Sequence, residues 1–135
     1  MANIAAAPFV LKNVTCGIGT DTYEAALRTI RFDPTTPVIK WRGLTPTSRF
    51  RFFGDPEWTA TITFAQDIAS AASLSKRLHS ATPGESVVMT FDPIAGGATV
   101  TATILLVPAS IGGDIDTVPE ASVTFEVAGQ PVIGA

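Results

Sequence analysis

The last 58 of the 135 residues contain no lysine and no arginine. All nine cations fall in residues 1–77 alongside six acids, and the other six acids lie beyond them. The two parts therefore carry +3 and −6, and the whole chain −3. Binding DNA by tracking phosphates takes a basic surface, which this balance does not supply. The unevenness is either chance in a small sample or the mark of a polar subunit whose basic part meets the acidic part of the next copy, a head-to-tail contact that builds rings and filaments. Charge is scarce altogether, at 16% against a usual ~25%. So thin a charged coat fits a secreted sandwich or a surface largely covered by partners.

Cysteine and histidine are nearly absent as well. A lone Cys16 excludes an internal disulfide framework, fits a reducing cytosol and reads as a small buried apolar residue. His79 is the only histidine, so no Cys–His dyad or zinc set can be assembled. Cys16-Gly17-Ile18-Gly19-Thr20 holds Gly-x-Gly without the third glycine or a following helix that dinucleotide binding requires. Asp114-Ile115-Asp116 reads as an acidic loop rather than a calcium site. Asn13-Val14-Thr15 matches a glycosylation acceptor, yet nothing else suggests secretion. The N-terminus lacks the basic and apolar segments of a signal peptide, and no apolar run approaches the ~20 residues of a membrane span. The expectation is a soluble, unexported protein with no catalytic site, metal or cofactor.

What is abundant is β signal. Ten prolines and eleven glycines punctuate short apolar alternations. Residues 58–64 place Trp58, Ala60, Ile62 and Phe64 on one side and Thr59, Thr61 and Thr63 on the other. Residues 99–107 repeat the scheme, with Val100, Ala102, Ile104 and Leu106 inward and Thr99, Thr101 and Thr103 outward. Residues 121–127 turn Val123, Phe125 and Val127 in, and Ser122, Thr124 and Glu126 out. Period two marks strands with one face on a core. Weaker strand signals cover residues 9–15, 25–32, 37–41, 49–53 and 86–91. Residues 67–81 differ: Asp67 can cap a helix, Ile68, Ala71, Leu74 and Leu78 form a narrow stripe, and Thr82-Pro83-Gly84 stops it. The fold class is mainly β, an antiparallel β-sandwich or barrel with one flanking α-helix at about residues 67–81, in a single domain over residues 1–135.

Two features point to assembly. A turn-rich excursion at about residues 42–57 packs Arg42, Arg49 and Arg51 with Phe50, Phe52 and Phe53. A loop cannot bury three phenylalanines within itself, and arginine and aromatics are enriched at interfaces. The alternative is a strand with Phe50 and Phe52 in the core and the arginines exposed. The second feature is the outward set Thr59, Thr61, Thr63, Thr99, Thr101, Thr103, Ser122, Thr124 and Glu126, which has no cation. It reads either as a plain wet sheet or as the lining of a channel through which DNA slides, where Lys or Arg would grip phosphates.

The strand over residues 58–64 runs into Ala65-Gln66-Asp67 and a helix holding Ser73-Leu74-Ser75. Phe32-Asp33-Pro34-Thr35-Thr36-Pro37 precedes Val38 and Gly43-Leu44-Thr45-Pro46-Thr47. Thr99-Val100-Thr101-Ala102-Thr103, Val107-Pro108, Ile111-Gly112-Gly113 and Val127-Ala128-Gly129-Gln130-Pro131 follow in order. This series, from Val10 to Pro131, resembles the major tail tube proteins of long-tailed phages of actinobacteria. The resemblance implies rings, usually of six subunits, stacked into a tube in the virion tail and assembled in the host cytoplasm. One sheet of each subunit would join a barrel around the lumen, and a long loop within residues 42–57 would reach the next ring. Implied partners are further copies of itself, a tape-measure protein, a tail terminator and baseplate or tail-tip proteins. DNA would pass without tight binding, and no membrane is involved. Other readings are a tail terminator or head–tail joining ring, and a host-surface or carbohydrate-binding β-sandwich; an enzyme has the least support.

Overall fold

The computed structural model describes residues 2–94 and 97–134. Ten strands and one short helix follow in the order β1 (Thr15–Ile18), β2 (Asp21–Thr22), β3 (Leu27–Thr35), β4 (Val38–Arg42), β5 (Arg49–Phe53), β6 (Glu57–Ala65), α1 (Leu74–Ser80), β7 (Glu85–Asp92), β8 (Val100–Leu106), β9 (Glu120–Val127) and β10 (Val132–Ile133). Eight strands form one sheet in the order β2-β1-β7-β8-β9-β6-β3, with β10 alongside β8; β4 and β5 form a separate hairpin. All the named strand pairs are antiparallel.

The large sheet is folded over on itself. Strands β7 and β3 are four places apart in the order, which in a flat sheet is roughly 19 Å. Yet the rings of Phe91 on β7 and Phe32 on β3 lie 6.4 Å apart. The bend falls at β8–β9, which pair only at Ile104↔Val127 and Leu105↔Glu126. Beyond Gly129, whose φ of 91° favours glycine, the chain returns and β10 takes the vacated place beside β8. The result is one wing of β3, β6 and β9 packed on another of β1, β7 and β8. Between them lie Ala60, Ile62, Phe64, Met89, Ile104, Leu106 and Phe125, all buried. The alternation expected at residues 58–64, 99–107 and 121–127 holds in these strands.

Several boundaries differ from expectation. The first strand begins at Thr15, not at residue 9, because Asn13 takes a left-handed φ of 54° and breaks the extended run. Thr99 lies one residue before β8. The helix spans seven residues instead of 67–81. Asp67 does cap, but it caps a turn: its carboxylate accepts from the backbone of Ala69 at 2.9 Å and Ser70 at 3.1 Å. Those bonds, first among them the ones from Ser70, hold its carboxyl below the usual carboxylate range. Short polar side chains that bond the local backbone favour turns over continued helix. The true N-cap is Ser73, which accepts from Lys76 N–H at 3.3 Å. Only Leu74 and Leu78 of the expected stripe are buried; Ile68 and Ala71 are exposed. Ser73→Ala should lower stability by about 1 kcal/mol; urea unfolding of the two proteins checks this.

Candidate assembly surfaces

The stretch expected as a loop over residues 42–57 is the second half of a β-hairpin. Its strands pair Val38↔Phe53, Ile39↔Phe52, Lys40↔Arg51, Trp41↔Phe50 and Arg42↔Arg49. Alternation continues through both strands, so the hairpin has two unlike faces. One carries Ile39, Trp41, Phe50 and Phe52, with the Trp41 and Phe50 rings 5.8 Å apart. The other carries Lys40, Arg42, Arg49 and Arg51, flanked by Val38 and Phe53. The alternative reading holds for the strand and for the exposed Arg49 and Arg51, but not for Phe50 and Phe52 in the core: every residue of both strands is exposed, Phe50 at 50% and Phe52 at 57%. The connection of residues 43–48 is closed by Gly43 N–H donating to Ser48 C=O at 2.7 Å. A Cβ on Gly43 would stand 2.6 Å from that of Ser48 and against the Trp41 ring, so glycine is required there.

An isolated two-stranded hairpin is marginal in water, and a bare apolar face on one is an aggregation hazard. Among the described residues, none of its four cations forms an ion pair; Arg28, Arg31 and Arg77 pair with Glu120, Asp33 and Glu85. Both faces are therefore unmatched within the chain. The sequence placed Ile39, Lys40 and Trp41 in a strand at residues 37–41 but not on an assembly surface, although alternation runs on both sides of residues 43–48.

The hydroxyl residues fall into two groups. On the β3-β6-β9 wing, Thr61 and Thr124 lie opposite each other with hydroxyls 3.2 Å apart, as do Thr63 and Ser122 at 2.9 Å. Thr59 is paired with Glu126 in the same row, and β3 adds Thr29, Arg31 and Asp33 to this face. Arg31 is neutralised by Asp33 at 2.9 Å. Thr101 and Thr103 sit on the other wing, opposite Thr90 and Val88. Because the sheet is folded over, the outer faces of the two wings look away from each other, and the sequence reading had put all nine on one surface.

Both edges of the β3-β6-β9 wing are open. Strand β3 ends the sheet, and β9 meets β8 only through Glu126 and Val127. A cleft of about 470 Å³ opens at the hairpin end, lined by Phe9, Phe32, Trp58, Phe91, Val100 and Ile133. Cys16 is buried in β1, where burial, and then the Glu24 carboxylate, push its thiol up to about 12. No helix among the described residues is long and apolar enough to cross a membrane.

No protein-family model matches the chain, and no curated protein matches it in sequence. Solved structures do match in fold. A chain of the sheath–tube complex of an extracellular contractile injection system, in its extended state, aligns with a TM-score of 0.65 at 12% identity over 95% of this chain and 92% of that one. A chain of the tail of an empty gene transfer agent particle gives 0.59 at 13% identity, over 82% and 83%. A chain of the sheath/tube terminator of the same injection system gives 0.62 at 12% identity, over 98% and 100%. These likenesses establish a shared tail-tube-like fold of antiparallel strands with one short helix.

Proposed function

We propose that this chain is a structural subunit of a phage tail tube, which closes into rings of six copies and stacks them around a DNA channel. The observation that carries the proposal is the hairpin left uncovered on both faces, on a fold shared with chains of tail and tube assemblies. Rings form side by side where β3 and the free part of β9 find partners, removing edges that would otherwise recruit strands at random. Stacking uses the hairpin, whose apolar and cationic faces are buried against the next ring. The role needs no catalysis, metal or cofactor. The tube belongs in the virion tail, is assembled in the host cytoplasm, and meets a tape-measure protein, a terminator and tail-tip proteins. The ordered sequence motifs, by their resemblance to the family of major tail tube proteins, support long-tailed phages of actinobacteria as the source.

In this arrangement the β3-β6-β9 wing lines the lumen. Its face offers small hydroxyls, the acids Glu57, Glu120 and Glu126, and two cations that are already paired, Arg31 with Asp33 and Arg28 with Glu120, a surface that does not hold phosphates. Thr61→Arg should leave tubes intact and reduce DNA ejection by particles built from it, with Thr101→Arg having the smaller effect. Ejection measured by dye uptake of released DNA decides between the wings; the reverse order assigns the lumen to β8.

Negative-stain microscopy of the purified protein tests the main reading directly, since tubes are expected and a concentrated monomer contradicts it. A second reading, a terminator that stops at one ring, is favoured by the likeness to the sheath/tube terminator over 98% of the chain. Single rings that never lengthen would select it.

A further inference from the structure

The hairpin springs from the Glu57 end of β6, and the far end of that strand is Ala65. Eight residue steps separate them, roughly 26 Å. At the far end lies the connection of residues 107–119 between β8 and β9. It is pinned there by Gln66, whose amide donates to Gly112 C=O at 2.9 Å and accepts from Gly112 N–H at 2.9 Å. The pinned segment displays Ile111, Ile115 and Val118 at 57%, 89% and 74% exposure, next to Ile68 at 67%. Ile68 and Ile111 line a shallow hollow of about 320 Å³ with Gln66 and Pro119. Asp114 and Asp116 rise from the same segment and Asp67 adjoins it. Among the described residues, none of these three carboxylates forms an ion pair.

The two ends of the subunit are thus complementary. One projects four cations and six large apolar side chains with no acid in either strand. The other offers three acids among four exposed aliphatic residues, and its segment of residues 107–119 lies in the part of the chain, residues 78–135, that has no lysine or arginine. We infer that the surface formed by Ile68, Ile111, Ile115 and Val118, with Asp114 and Asp116, is the seat of a second copy's hairpin. The inference rests on the stacking reading above and adds where the hairpin lands. Apolar side chains fill the hollow, and the carboxylates pair with the cationic face and fix its register.

Charge reversal separates this inference from the reading on which it rests. Arg49→Glu with Arg51→Glu, and Asp114→Lys with Asp116→Lys, should each lower tube yield at least about tenfold, the effect of about 1.4 kcal/mol per joint. All four changes in one chain should restore tubes. Tubes unaffected by the hairpin changes overturn stacking and seat together. Tubes lost with the hairpin changes but unaffected at Asp114 and Asp116 leave stacking standing and overturn the seat. Loss with both pairs and no rescue by the combination also overturns direct pairing. Circular dichroism confirms that each variant folds. Where one does not, Leu44→Cys combined with Ile115→Cys serves instead: oxidised tubes should run as a ladder of covalent multimers, and monomer alone overturns the seat.

Discussion

Removing residues 38–53 and closing the gap with an Asn-Gly turn should leave a folded chain that builds no tubes. The ends to be joined already lie side by side, since Gly54 N–H donates to Pro37 C=O at 2.9 Å. No residue of either hairpin strand is buried, so the core loses nothing. Surface changes of this kind leave stability within about 1 kcal/mol. Assembly is another matter. Burying a large apolar side chain stabilises by roughly 1.5–3 kcal/mol. Losing Ile39, Trp41, Phe50 and Phe52 therefore removes on the order of 6 kcal/mol from each joint, about 10⁴-fold in its equilibrium constant. Thermal melting should barely move while sedimentation velocity shows only small species. Tubes that persist would end the stacking role, and a chain that melts early would make the hairpin part of the fold.

Phe64→Ala should do the opposite, striking the fold itself. Phe64 is fully buried on β6, within the same core as Phe125 and Leu78. Emptying a site of that size costs about 3–5 kcal/mol, a large part of the ~5–15 kcal/mol available to a domain. The melting temperature should fall by roughly 10–20 °C. Its neighbour Thr63 is the control. Thr63 points to the other face, where its hydroxyl meets Ser122 at 2.9 Å. Thr63→Ala should change stability by no more than about 0.5 kcal/mol. Equal effects at the two positions would contradict the orientation of β6. Differential scanning calorimetry measures both.

The strands were legible because their signal is local. Alternation at residues 58–64 and 121–127 depends only on which side each residue faces, and those sides were read correctly. The helix was overextended because Ala and Ser are compatible with a helix, whereas the side chains of Asp67 and Ser73 bond nearby backbone and end the regular run. Both hairpin strands were legible as weak signals at residues 37–41 and 49–53, but their pairing was not: glycine, proline and threonine over residues 43–48 read as the start of a long loop, and the alternative put Phe50 and Phe52 in a core they never enter. Least legible was the fold-over at β8–β9. Which strands share a wing depends on contacts between residues far apart in the chain, such as Phe32 with Phe91. No periodicity could have divided the threonines into two groups.

On the proposed reading, the burial of Cys16 has a consequence for a particle that leaves the cell. A tube multiplies each subunit's chemistry by its copy number, and leaving the cytosol exchanges reductant for air. An accessible sulfur on every copy would then invite random covalent bonds between neighbours. Held at 0% exposure, with its proton retained far above neutral pH, this one is spared. The proposed subunit would meet that change of surroundings with its one thiol out of reach.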